Sequence, residues 1–211
     1  MLSFTSILLL GFVLGMRHAT DPDHVVAVTT IVSDERSLWR ASVVGAVWGI
    51  GHSITILAVG GAIVVFRLVI PPRLGLLLEF CVAVMLILLG MLTLSGRRVS
   101  SAGNMARPLV VGIVHGLAGS AFVALLVLAA VSGAMLQLLY LALFAAGTIA
   151  GMALITVAVA LPSAITAHRF VRMQGYLRVA SGFASLVFGA VLVERGVAQG
   201  LFAEVPHWTP Q

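Results

Sequence analysis

Arg17-His18-Ala19-Thr20-Asp21-Pro22-Asp23-His24 sits in the middle of an otherwise apolar run of about thirty residues, Leu2 to Val32. About 20 apolar residues in a helix cross a bilayer core. Met1–Met16 alone falls short of that, and so does Val25–Val32. The run therefore spans only if the polar octet lies inside it. Ionised side chains at that depth cost at least about 2.5–3.5 kcal/mol each, so they face a cavity or one another, not lipid. The alternative ends the first helix at Met16, makes the octet an aqueous loop and leaves Val25–Val32 as a short re-entrant piece.

The rest of the chain supports the membrane reading. Of 211 residues, 61% are hydrophobic and 9% charged, against about 45–50% and about 25% in a soluble domain. Such a chain cannot cover a globule with polar surface, which excludes a soluble enzyme, a nucleic-acid binder and a disordered chain. The net charge is +5, and all twelve basic residues are Arg. They lie between apolar runs, so the membrane explains them better than nucleic acid does. The lone Cys81 excludes an internal disulfide and an all-Cys metal cage. There is no G-x-x-x-x-G-K phosphate loop and no lysine to complete one. Met1–Leu10 has no basic stretch, so a cleaved signal peptide is not expected.

An all-α integral membrane protein of about six transmembrane helices is predicted. The runs are long and do not alternate, which argues against a β-barrel. After Leu2–Val32, the expected spans are Ala41–Phe66, Leu74–Leu94, Pro108–Ser132, Met135–Leu161 and Tyr176–Ala198. Expected breakers between them are Pro71-Pro72, Arg107-Pro108, Ser132-Gly133 and Pro162. Arg36, Arg40, Arg97, Arg98, Arg107, Arg169, Arg172 and Arg178 fall on one side, against Arg67, Arg73 and Arg195 on the other. The positive-inside rule places the first group in the cytoplasm and both termini outside, in the cytoplasmic (inner) membrane. The tail, with His207 and Trp208, reads as an interfacial end. Residues 1–211 form a single transmembrane domain. Two repeats, 1–100 and 101–200, are suggested by Gly11-Phe12-Val13-Leu14-Gly15 against Gly112-Ile113-Val114-His115-Gly116. Leu78 and Gly90 recur as Leu177 and Gly189. Three helices per repeat require an inverted 3+3 arrangement, a transporter architecture. Chance alignment of two Gly-rich halves is the competing explanation.

Pro22 decides how the polar octet is presented. In an unbroken helix His18, Asp21 and His24 share about 120° of arc, while Asp23 points away. Proline cannot donate a backbone bond and disfavours helical geometry at Asp21. Asp21-Pro22 therefore reads as the N-cap and first residue of a second half-helix. Helix one is then broken near Pro22, and Asp23 and His24 turn toward His18. Arg17 either pairs with one of the acids or is structural.

Two imidazoles beside carboxylates suit a transition metal, because neutral His is its commonest ligand and an acid compensates charge. His52, in Trp48-Gly49-Ile50-Gly51-His52-Ser53, and His115 are each the sole ionisable residue of their spans. A lone buried His is more often a core residue than a ligand; beside the first cluster both become candidates. The candidate metal residues are His18, Asp21, Asp23, His24, His52 and His115. This N/O set suits Ni²⁺, Co²⁺ or Zn²⁺. Small residues near these histidines, Gly45, Gly49, Gly112, Gly116 and Gly119 among them, permit close helix approach and equally fit ordinary membrane packing. Glu79, one turn inside its helix, reads as interfacial.

His18 to His24 fits H-x4-D-H, and the chain here resembles the nickel/cobalt transporter family. Gly51-His52-Ser53 resembles that family's second motif in the next helix. The resemblance implies His18, Asp23 and His24 as principal metal-handling residues, with His52 supporting; Asp21 also fits the motif. The departures are Pro22 in place of Ala, and His115-Gly116-Leu117-Ala118-Gly119-Ser120 in place of an acidic third motif. Gly151-Met152-Ala153-Leu154-Ile155-Thr156 has Thr156 where the fourth motif has an acid. Six spans instead of eight match the short, urease-accessory-like branch. The function expected is uptake of Ni²⁺ or Co²⁺ by a permease, with the metal as substrate, no resident cofactor, and lipid as the other partner. Homo-oligomerisation stays open. The runner-up is an intramembrane zinc hydrolase built on the same cluster, although no H-E-x-x-H motif is present.

Overall fold

The structure, a computed structural model, describes residues 4–32, 35, 37–67, 71–96, 104–117, 131, 133–166 and 171–202. Among these there are seven α-helices and no strand. They are α1 (Phe4–His18), α2 (Pro22–Val32), α3 (Leu38–Phe66), α4 (Pro72–Leu94), α5 (Ala106–Gly116), α6 (Ala134–Thr166) and α7 (Val171–Ala198). Four helices are long and apolar enough to cross a membrane by length and composition: Leu38–Phe66, Pro72–Leu94, Ala134–Pro162 and Gly175–Ala198. The described residues are helical throughout their regular structure, consistent with a membrane protein.

The first run is broken where Pro22 predicts. α1 ends at His18 and α2 begins at Pro22. At about 1.5 Å per residue, neither piece alone matches a hydrocarbon core of about 30 Å. A tight turn joins them. Thr20 N–H donates to the Arg17 carbonyl at 2.8 Å, and Asp21 N–H to the His18 carbonyl at 3.1 Å. The Asp21 carbonyl then accepts from Val25 N–H, the first bond of α2. Pro22 occupies the one place where a missing N–H costs nothing.

One expected joint is corrected. Pro162 does not end its helix but lies within α6, which continues to Thr166. Proline removes a single backbone bond, and membrane helices tolerate this where neighbours re-satisfy the freed group. The fourth expected span begins as predicted, with Pro108 in the first turn of α5. Its continuation, with Gly119 and Ser120, lies outside the described residues, as do Arg36, Arg97, Arg98, Arg169, His207 and Trp208.

The helices pack in pairs: α3 on α6, α4 on α7, α1 on α6 and α3 on α5, with α2 reaching α4, α6 and α7. Several crossings are so close that only glycine fits. A Cβ on Gly15 of α1 would collide with the Phe144 carbonyl of α6. One on Gly112 of α5 would collide with the Trp48 carbonyl of α3. Small residues that bring backbones together are the usual membrane solution, since lipid supplies no hydrophobic drive between helices. Buried hydroxyls add interhelical bonds. Ser53 donates to the Ala145 carbonyl at 3.1 Å, Thr55 to the Ile113 carbonyl at 3.0 Å and Ser185 to the Leu86 carbonyl at 2.7 Å.

The surface is apolar along the helices, as lipid requires. Ile50, Ile54 and Leu57 of α3, and Leu77, Val84 and Leu88 of α4, are exposed. The interior instead carries His24, His52 and His115, each at most 1% exposed. A buried imidazole cluster within an apolar core, under an apolar exterior, departs from the pattern of a soluble domain.

Candidate metal centre

His18 lies in the last turn of α1, Asp21 in the turn, and Asp23 and His24 at the start of α2. His52 comes from the middle of α3 and His115 from the C-terminal end of α5. The fold brings all six together. The glycine crossing of α5 over Trp48 and the Thr55–Ile113 bond set His52 and His115 side by side. The α1–α6 crossing places His18 against Phe144, with ring centroids 5.4 Å apart.

Each carboxylate orients imidazoles. His18 donates from Nδ1 to Asp21 Oδ2 at 2.8 Å. This leaves its Nε2 lone pair facing His52 Nε2 at 3.0 Å. Asp23 accepts from two rings: His24 Nδ1 on Oδ1 and His115 Nε2 on Oδ2, both at 2.9 Å. An imidazole whose second nitrogen is held by a carboxylate is the usual setting of a metal-ligating His. The remaining ring nitrogens are His24 Nε2, His52 Nδ1 and His115 Nδ1, all buried and, among the described residues, without a hydrogen-bond partner. Orphaned polar atoms of this kind are costly in an apolar interior. A cation would relieve the cost for those that face it.

Two groups of three have the spacing of a metal site. Ligand atoms of His18, His24 and His52 lie within 4.8 Å of one another, and so do those of Asp23, His24 and His115. His24 is at the centre. Its ring centroid is 4.6 Å from His18, 5.0 Å from His52 and 4.4 Å from His115. Trp48 walls the cluster, 5.6 Å from His24 and 5.8 Å from His115.

The structure also separates roles that the motif leaves merged. Asp21 and Asp23 serve different histidines, and Asp23 reaches across to a helix 92 positions away in the chain. Arg17 is exposed and, among the described residues, forms no ion pair with either acid. The pairing weighed for it from sequence is therefore not made, because the end of α1 turns its side chain outward. Glu79 is partly buried on α4 and belongs to neither group. Trp48 and Phe144 carry no mark in the sequence as parts of the site, since an aromatic in an apolar helix gives no signal of what it walls.

The urease accessory protein UreH of Bacillus sp. (strain TB-90) is 36% identical to this chain over an alignment of 217 residues, covering 93% of the chain and 95% of the relative. The chain belongs to the UreH family. The likeness to this urease accessory protein thus extends over nearly the whole length, beyond the H-x4-D-H stretch. No family model matches the chain, and no solved structure does.

As a UreH-family protein, the chain offers a direct check on the turn that joins α1 and α2. Pro22→Ala is expected to leave a folded protein, because the turn keeps its bonds from Thr20 and Asp21. The substitution restores an N–H and lifts the restriction on the backbone at Asp21, so the turn holds Asp21 and Asp23 less firmly. Metal affinity should then fall by about 10-fold or more, the scale of a disturbed outer shell. Equilibrium dialysis against ⁶³Ni²⁺ reads this, and an unchanged affinity would count against the break as part of the site.

Proposed function

We propose that the protein carries a divalent transition metal, Ni²⁺ or Co²⁺, into the cell across the cytoplasmic membrane. The observation that carries the reading is the buried trio His18, His24 and His52, held by Asp21 and Asp23, inside a bundle with an apolar exterior. Imidazole donors with nearby carboxylates suit Ni²⁺, Co²⁺ and Zn²⁺ better than Mg²⁺ or Ca²⁺. The family resemblance favours the first two. The two acids supply negative charge to a dication that has left bulk water. Three ligands, not a closed cage of four, bind the ion while leaving it free to depart.

Energetically, uptake needs no ATP. A dication moving through about 100 mV gains about 4.6 kcal/mol, from about 2.3 per charge. That corresponds to roughly 2000-fold accumulation by uniport.

The reading includes six spans arranged as an inverted repeat, with both termini outside. α1 and α2 together form the first span, and α5 begins the fourth. Four pairs of matched contacts support the repeat. Gly11 and Gly15 rest on Tyr140 and Phe144, as Gly112 and Gly116 rest on Trp48 and His52. Gly90 meets Gly182 and Leu186, while Gly189 meets Ala83 and Ile87. The interval from Gly90 to Gly189 equals that from Ala83 to Gly182 and from Ile87 to Leu186, as a pseudo-two-fold relation requires. A binding site near such an axis is what alternating access uses.

Flux of radiolabelled Ni²⁺ and Co²⁺ into proteoliposomes tests the function. Wild type should accumulate label when the interior is negative. His18→Ala and Asp23→Asn should lower the initial rate by at least about 10-fold, through loss of a ligand and of an orienting carboxylate. Equal flux in all three would sink the mechanism. Preference for Zn²⁺ in competition would reassign the ion and keep the site.

A further inference from the structure

We infer that the cluster holds two alternative metal positions, one at His18/His24/His52 and a second at Asp23/His24/His115, and that the ion passes between them by way of His24. The inference rests on reading the trio as a cation site, and deepens it.

The starting point is the hydrogen-bond pattern. In a site with metal–nitrogen bonds of about 2.1 Å, tetrahedral ligand atoms lie about 3.4 Å apart. His18 Nε2 and His52 Nε2 are 3.0 Å apart. Asp23 Oδ1 and His24 Nδ1 are 2.9 Å apart, and so are Asp23 Oδ2 and His115 Nε2. These pairs stand a few tenths of an ångström closer than two ligands of one ion, and the remaining ligand atoms of each trio lie within 4.8 Å. The four histidines of the cluster are buried, and among the described residues His24 Nε2 and His115 Nδ1 have no hydrogen-bond partner. His115 is thus a fully buried imidazole whose only hydrogen bond among the described residues is the one to Asp23. A residue kept only for packing would not need that polar ring beside a carboxylate.

His24 links the two places. Its Nδ1 faces Asp23, while Nε2 is free, and its ring is close to both His18 and His115. A neutral imidazole has one lone pair, so His24 serves one position at a time. Occupancy is then exclusive: one ion per chain, in either place. The positions also differ chemically. The first offers three neutral nitrogens, the second two nitrogens and a carboxylate that becomes a direct ligand. Because the second position draws on α5, its occupancy ties the first half of the chain to the second.

The test uses the full-length protein in detergent with Co²⁺ as probe, read by equilibrium dialysis and by the visible absorption of bound Co²⁺. Wild type should bind one ion per chain. The double variant H18Q/H52Q removes the first position. It should still bind one Co²⁺, with affinity lowered by about 100-fold and an altered visible spectrum, since a carboxylate replaces imidazoles. Adding H115Q to that background should remove measurable binding, whereas adding H115C, which restores a metal ligand, should retain it. H115Q alone should slow flux in proteoliposomes by at least about 10-fold. The inference is overturned if H18Q/H52Q binds nothing while wild type binds. It is equally overturned if H115Q leaves the double variant's binding unchanged, or if H115Q and H115C abolish it alike, which would make His115 a packing residue. No binding by wild type would instead defeat the transport reading itself.

Discussion

His24→Ala abolishes metal binding more completely than any other single substitution in the cluster. The ring lies at the centre, within 4.4–5.0 Å of His18, His52 and His115 by centroid distance. It belongs to both candidate groups, so no alternative trio survives its loss. His18→Ala or His52→Ala breaks only one group. Loss of an outer-shell partner already costs about 10–100-fold in affinity, so loss of the shared ligand should cost more than about 100-fold. Truncation also leaves Asp23 with one imidazole instead of two. Calorimetric titration of Ni²⁺ into wild type, His24→Ala and His52→Ala gives the ranking. If His24→Ala bound as tightly as His52→Ala, His24 would not be the shared ligand.

The second large effect is on the scaffold. Gly15→Ala adds one methyl group, and that methyl meets the Phe144 carbonyl and the Thr148 amide of α6. Backbone on the far side cannot rotate away as a flexible side chain can, so α1 and α6 must separate. Overpacking costs about 1–3 kcal/mol and occasionally more. In a chain of this size that corresponds to a fall in Tm of about 10 °C at the upper end. Gly61→Ala on α3 is the matched control, because its added methyl meets nothing within 4 Å. It should hold or raise the melting temperature, since alanine favours helix by about 1 kcal/mol over glycine. Melting in detergent, followed by intrinsic fluorescence, distinguishes them. Equal melting temperatures would mean that the α1–α6 contact yields more easily than its geometry says. The same substitution should weaken metal binding, because Phe144 packs against His18.

Much of this molecule is legible in its residues because a membrane makes polar groups expensive. Charges are so few that a cluster of them inside an apolar run is itself a signal, and Pro22 marks the break between α1 and α2. Pro162 departs from its expected role for a related reason. The same residue type ends one helix and is absorbed in another, and only the neighbours of α6 decide which. Arg17 shows the limit of motif reading. It stands next to His18 in the chain, yet the last turn of α1 carries it to the exposed side.

Composition and local pattern alone established the membrane class, the interruption of the first span and the residue types that could meet a metal. They did so because hydrophobicity, proline geometry and side-chain chemistry are properties of single residues and their near neighbours. Which groups pair was settled only by the packing of helices. Asp23 meets His115, and His18 meets His52, because glycines let α5 close on α3 and α1 close on α6. Helical periodicity specifies the angle at which a side chain leaves its own helix. It carries no information on the depth and crossing at which another helix, distant in the chain, will meet it.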